Sequence, residues 1–111
     1  MTNCYCSSSD FDFKSFQEDC LTVANERSKN GVDKDFLKHC AGEVLEAEEA
    51  EIRFNYISSS ESNKKALALE LADIVICAAD CAETNGIDLA EALIEKFEIL
   101  KARAEGKGDK F

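Results

Sequence analysis

Four acidic side chains, placed in two neighbouring segments, have the spacing expected of a metal site. Glu43 and Glu46 lie three residues apart in one segment, and Glu70 and Asp73 lie three residues apart in the next. Residues three apart share a face of an α-helix, so each pair can present both carboxylates to the same side. Two such faces in contact would form an all-oxygen cage, which suits hard cations such as Mg²⁺ and Mn²⁺.

The second acidic pair begins a segment that is apolar on nearly all sides. Between positions 71 and 82 the only charged residues are Asp73 and Asp80, seven residues apart and hence on one helical face. An all-apolar helix is typically buried among other helices, so we expect both carboxylates to be buried. No lysine or arginine occurs between positions 66 and 95 to pair with them locally. The pattern therefore predicts a metal site or, as the alternative, structural polar layers in which Asp80 bonds to the first helix.

The chemistry available to such a cage involves phosphates. Magnesium held by carboxylates usually keeps positions open for water and for substrate phosphates, and two ions can bridge a triphosphate and activate a water. Lys96 and Arg103, seven residues apart, could contact phosphate oxygens, or could be ordinary surface cations near a helix C-terminus. A di-iron site is disfavoured, because it normally requires Glu-x-x-His on two helices and His39 is the only histidine.

Four helices are predicted to position these residues. No segment shows sustained two-residue alternation, so no sheet is expected. The chain contains no proline, and glycines at positions 31, 86 and 106 mark helix ends. The predicted helices cover residues 10–30, 33–57, 64–85 and 88–104, with a polar connector at 58–63. Short connections between long helices predict an all-α, antiparallel four-helix bundle.

Length and charge limit the classes of protein that fit. The 111 residues, 45% of them hydrophobic, predict one domain at 10–105 between a Cys- and Ser-rich leader (1–9) and a loose tail (106–111). The formal net charge of −10 disfavours binding to nucleic acid polymers and to anionic membranes. With no membrane-length apolar run and no signal peptide, a cytoplasmic location is expected.

The six cysteines are predicted to be free thiols. Four of them fall within apolar helical stripes, where cysteine behaves as a small buried hydrophobe: Cys20, Cys40, Cys77 and Cys81. Cys4 and Cys6 lie in the leader, and a zinc site combining them with His39 would not match an established spacing.

The acidic pairs and the residues that follow them resemble the MazG-like nucleoside triphosphate pyrophosphohydrolases. The matching residues are, in order, Glu43-Val-Leu-Glu46, Glu70-Leu-Ala-Asp73, Gly86-Ile-Asp-Leu, Lys96 and Arg103, and the resemblance spans residues 33–105. It implies a helical fold assembled as a homodimer or homotetramer. It also implies Mg²⁺-dependent hydrolysis of (deoxy)nucleoside triphosphates to the monophosphate and pyrophosphate, as in the removal of non-standard or surplus nucleotides.

The same resemblance implies a role for each matching residue. The two acidic pairs would hold the metal, with Glu43 or Glu46 also orienting the attacking water. On the fourth helix, Lys96 and Arg103 would contact the phosphates. Some short bacterial and phage members of the family carry an aspartate where Asp80 stands, which implies a supporting position for Asp80 behind the ligands.

Three departures from the family pattern leave a second interpretation open. His39-Cys40 stands where many members have Glu-Glu. Two registers are then possible: Glu43 and Glu46 are the ligand pair, or Glu43 occupies the final glutamate position and one ligand is missing. Leu100 replaces a family asparagine, and the chain has no tryptophan. The alternative is a non-catalytic, metal-binding helical bundle that acts as an interaction or assembly module.

Overall fold

The computed structural model describes residues 5, 8–29 and 35–106, and within these ranges all regular secondary structure is helical. A short 3-10 helix at Ser8–Asp10 precedes four α-helices, and a π-helix at Arg53–Ile57 continues the second of them. The α-helices are α1 (Phe13–Ser28), α2 (Phe36–Ile52), α3 (Glu61–Thr84) and α4 (Leu89–Ala104). The prediction of an all-α chain with four helices is confirmed. The leader at 1–4 and 6–7 and the tail at 107–111 lie outside the described residues, as does the predicted helix end at Gly31.

Side-chain caps fix the starts of α3 and α4. The Asp88 carboxylate accepts a hydrogen bond from the Glu91 backbone N–H at 3.1 Å, as the sequence predicts. The predicted start of α3 at residue 64 is wrong by three residues, because the Ser60 hydroxyl accepts from the Asn63 N–H at 3.2 Å and caps a helix that begins at Glu61. The predicted start of the first helix at residue 10 is also early, since α1 begins at Phe13.

Helix α3 is the central element of the fold. Both α1 and α2 pack along it, whereas α4 contacts α1 and α3 at only a few positions and does not contact α2. The buried apolar side chains among the described residues are all small: Cys20, Ala24, Ala47, Ala50, Cys77, Ala79 and Ala82. Small residues allow the three helices to approach closely, but they leave the larger apolar side chains outside the core.

The prediction that residues 71–82 are buried on all sides is wrong for the single chain. Leu71 and Val75 are 52% and 45% exposed, because α1 and α2 cover only part of the circumference of α3. Leu93, Ile94 and Phe97 on α4 are also at least half exposed. The protein therefore presents apolar helical faces to its surroundings. None of the helices in the described ranges is long and apolar enough to cross a membrane.

A buried glutamine on α1 joins the end of α3 to the start of α4. Gln17 Nε2 donates to Glu83 Oε1 at 2.9 Å and to the Ile87 carbonyl at 2.7 Å. Gln17 Oε1 accepts from the Leu89 N–H at 3.1 Å. One side chain thus bonds to three positions on the two helices and on the turn between them. That turn passes through Gly86, whose φ of 68° favours glycine.

Candidate metal centre

Three glutamates from α2 and α3 converge in the structure. Glu43, Glu46 and Glu70 each offer a carboxylate oxygen, and these three oxygens all lie within 4.8 Å of one another. We call these residues the glutamate triad. Glu43 and Glu46 come together because they are three residues apart on α2, and Glu70 joins them because α2 packs on α3. Among the described residues it is the one such cluster, and it contains neither histidine nor cysteine.

The glutamate triad brings like charges together at partly buried positions. Glu43 and Glu70 are half-buried, and Glu46 is exposed. Burial raises the pKa of Glu43, and the neighbouring carboxylates of Glu46 and Asp73 raise this pKa further, against a smaller lowering by His39. Burial is also the largest cause of the raised pKa of Glu70, followed by the charges of Glu46, Asp73 and Glu43. A divalent cation would relieve this repulsion.

Two oxygens of the triad are buried without a donor. Glu43 Oε2 and Glu70 Oε2 have no hydrogen-bond partner among the described residues. Asp73 is within hydrogen-bonding reach of Glu43, as Glu46 is of Glu70, but two carboxyl groups can bond only when one of them carries a proton. Buried carboxylate oxygens are expected to be paired or to coordinate metal, so the unsatisfied pair supports a cation at this position.

His39 lies next to the triad, although it is not among the site residues that the sequence predicts. Its Nε2 lies 3.0 Å from Glu43 Oε1, one helical turn away on α2. The His-x-x-x-Glu spacing is the signal that could have indicated this contact. His39 therefore occupies one oxygen of Glu43 and leaves the other, Oε2, for a further ligand. It is not itself part of the oxygen cluster.

The remaining predicted site residues lie at different distances from the triad. Asp73, expected to be buried, is exposed; its charge acts on Glu43 and Glu70, but it falls outside the three-residue cluster. Lys96 and Arg103 are on α4, which does not contact α2, and no lysine or arginine is among the groups that shift the pKa of Glu43 or Glu70. Their role in phosphate binding stays a prediction.

Asp80 lies away from the triad, on the side of α3 that faces α1. Its side chain is buried, and burial raises its pKa to about 6, with a smaller lowering by the Arg27 charge. Asp80 Oδ1 has no hydrogen-bond partner in the described part of the chain. Asp80 is also absent from the charges that shift Glu43 and Glu70.

The cysteines for which the structure gives a state are free. Cys20, Cys40, Cys77 and Cys81 form no disulfide. Burial is the main cause of the raised pKa of Cys20, about 12, and of Cys77, about 11. These two thiols are therefore protonated and poor metal ligands at neutral pH. Cys4 and Cys6, and with them the zinc alternative, lie outside the described residues.

Compared with protein-family models, with curated proteins and with solved structures, the chain matches none. The assignment of a function consequently depends on the geometry of the triad and on the sequence motifs that carry it.

Proposed function

We propose that the protein is a divalent-metal-dependent nucleoside triphosphate pyrophosphohydrolase with a MazG-like, antiparallel four-helix bundle. The observation that carries this proposal is the glutamate triad, in which three carboxylate oxygens converge within 4.8 Å of one another, and in which Glu43 Oε2 and Glu70 Oε2 are buried without a donor among the described residues. An all-oxygen donor set favours Mg²⁺ or Mn²⁺ over zinc or copper. The order of the acidic pairs, the Gly-Ile-Asp-Leu turn and the late Lys and Arg gives independent support.

Each residue of the site has a separate part in the proposed reaction. Glu43, Glu46 and Glu70 would hold the metal, and Asp73, whose charge already reaches the triad, would complete the set. The bound metal supplies positive charge that neutralises the triphosphate and lowers the pKa of a coordinated water. Glu43 or Glu46 orients the water that attacks the α-phosphorus. The bond between this phosphorus and the α–β bridging oxygen breaks, which yields the nucleoside monophosphate and pyrophosphate.

Self-association is part of the proposal. The exposed apolar side chains of α3 and α4 are the surfaces that a second copy would cover, and the proposed assembly is a homodimer or homotetramer. Because α4 does not contact α2 within one chain, the proposal places Lys96 and Arg103 at the triad of a neighbouring copy. Mixing two inactive variants, Glu70→Gln and Lys96→Ala, should then restore part of the activity through composite sites.

The proposed surroundings of the reaction follow from charge and thiol state. A net charge of −10 disfavours nucleic acid polymers and membranes as partners, so the proposed partner is a free nucleotide carried with its metal. Four free cysteines are typical of the reducing cytoplasm, which is the proposed location.

A substrate panel tests the activity directly. The full chain is incubated with natural and modified nucleoside triphosphates and Mg²⁺ or Mn²⁺, and pyrophosphate and monophosphate are measured separately from phosphate and diphosphate. Glu70→Gln should lower pyrophosphate release about a hundredfold or more, because it removes a charged ligand from the reacting centre. Glu49→Gln, an equal change of charge at an exposed position of α2, is the matched control and should leave the rate unchanged.

The outcome separates three possibilities. Full activity of Glu70→Gln, with helicity retained by circular dichroism, would remove the triad from the reaction. Diphosphate and phosphate as products would contradict attack at the α-phosphorus. Binding of Mn²⁺ without turnover of any nucleotide would support the second candidate, a non-catalytic metal-binding interaction module. The contact between His39 and Glu43 favours that candidate, since it takes up one ligand oxygen.

A further inference from the structure

A cavity lies between α1 and α3, and none of the three triad glutamates lines it. Its volume is about 270 Å³. An engineered apolar cavity of about 150 Å³ is large enough to bind benzene, so this one can hold a ring with several further atoms. The lining residues are Tyr5, Phe16, Asp19, Cys20, Val23, Arg27, Ile76 and Asp80. Four of these eight residues are aromatic or aliphatic, one is a cysteine and three are charged.

Asp80 is the polar group that sets this cavity apart from an apolar gap. Its side chain is 7% exposed and lines the cavity, and its Oδ1 has no hydrogen-bond partner among the described residues. A buried carboxylate oxygen in this condition is costly unless a donor or a cation reaches it. Because Asp80 lines the cavity, a ligand donor that reaches its carboxylate there would gain most.

The charges around the cavity indicate the sign of the ligand. Asp19 and Asp80 contribute two carboxylates and Arg27 one guanidinium, which leaves one net negative charge. Asp19 already accepts a hydrogen bond from the Tyr5 hydroxyl at 2.7 Å. Arg27 is exposed to solvent, and among the described residues neither it nor any other side chain donates to Asp80 Oδ1. A ligand with a single positive charge would balance the site at Asp80.

We propose that this cavity binds a small organic monocation, an amine or amidine with one aromatic or branched aliphatic group, whose N–H donates to the Asp80 carboxylate. The apolar part lies against Phe16, Val23 and Ile76, where it leaves water. This site is separate from the proposed metal centre, so either one can fail without the other.

The competing explanation is that Arg27 itself turns inward and pairs with Asp80. An arginine in contact with the carboxylate would fill the cavity with its own side chain and would exclude an external amine. Replacing Arg27 with glutamine distinguishes the two. The proposal expects tighter amine binding in this variant, because a competing positive charge has been removed, whereas internal pairing predicts destabilisation.

The experiment uses benzylamine as the probe and the full chain at about pH 7.5, where the amine is protonated. Titration followed by two-dimensional NMR should show saturable binding at one site, with shifts on α1 and α3. Benzyl alcohol and benzoate match its shape but lack the positive charge, so they should bind about tenfold or more weakly. Hydrogen bonds that involve a charged group are stronger than neutral ones by about this factor in affinity.

Two variants complete the test. Asp80→Asn keeps the shape of the side chain and should weaken benzylamine binding about tenfold or more. The control Glu49→Gln removes an equal charge from the exposed side of α2 and should bind as the parent protein does. As an independent variant, Val23→Phe fills the cavity from the α1 side and should abolish binding. Benzylamine binding that is absent from the parent protein, or unchanged in Asp80→Asn or Val23→Phe, would overturn the proposal.

Discussion

Replacing Asp80 with asparagine should stabilise the fold at neutral pH and leave its stability nearly unchanged in acid. The folded-state pKa of Asp80 is about 6, against 3.8 for an ordinary aspartate, and burial is the main cause. The other titratable side chains that line the same cavity are Asp19, Cys20 and Arg27 on α1, together with Tyr5. Of these, only Arg27 favours the ionised form of Asp80. Cys20, with a pKa of about 12, is neutral throughout the relevant range.

The sign and size of the effect follow from proton linkage. Because the pKa is raised in the folded state, the bound proton contributes its full stabilisation below about pH 3.8, and this is lost as the pH rises through about 6. A difference of about two units at roughly 1.36 kcal/mol each gives about 3 kcal/mol. Asparagine has no such proton to lose. The variant should therefore be more stable than the parent by up to about 3 kcal/mol above pH 7.

Urea denaturation at about pH 4 and pH 8 measures this difference, with the m-value confirming that both proteins unfold from similar states. Glu49→Gln on the exposed side of α2 controls for the change in net charge and should show a much smaller pH-dependent gain. A variant that is less stable than the parent at pH 8 would mean that a cation compensates Asp80. An equal difference at both pH values would mean that burial does not shift its titration. Either result would refute the reasoning.

Two further predictions concern the triad and the buried glutamine. Mn²⁺ at about one hundred times its dissociation constant should raise the unfolding free energy by about 2.7 kcal/mol, and the double variant Glu43→Gln, Glu70→Gln should lose this gain in a thermal-shift assay. Persistence of the full shift would place the ion elsewhere. Gln17→Leu should destabilise the fold by about 1–3 kcal/mol in urea, because it leaves buried polar groups without partners. Thr22→Val, at an exposed position of α1, is its control, and equal effects in both would contradict a special role for Gln17.

Much of the fold can be predicted from the sequence because its helix signals are local. The absence of strand periodicity and the Asp88 cap each depend on a few neighbouring residues, and both agree with the structure. The start of α3 is hard to place from the sequence, because Ser60 is one of three consecutive serines in a polar run. Only the hydrogen bond from the Asn63 N–H to the Ser60 hydroxyl identifies this residue as the cap. The burial of α3 cannot be predicted for a different reason. An apolar segment is expected to be buried, but its composition does not show whether the same chain or another one buries it.

The candidate site, like the fold, can be predicted from the sequence only in part. The three-residue spacing predicts that Glu43 and Glu46 share a face of α2, and the packing of the two acidic faces predicts that Glu70 meets them, as the structure places it. It does not predict that Asp73 is exposed, because the rotation of α3 relative to α2 decides which member of a pair points inward. It also gives no warning that Asp80 faces α1. These features depend on the packing of small side chains such as Ala47 and Cys77, which have little pattern of their own.

The three hydrogen bonds of Gln17 hold the turn between α3 and α4, so that a tilt of α4 would start at this turn. Helix α4 has 16 residues, a length of about 24 Å, and it has few other contacts with the rest of the chain. A tilt of about 10° at its base would displace its far end by about 4 Å. A small change in the hydrogen bonds of this single amide would thus move the far end of α4, where Arg103 lies, by several times as much.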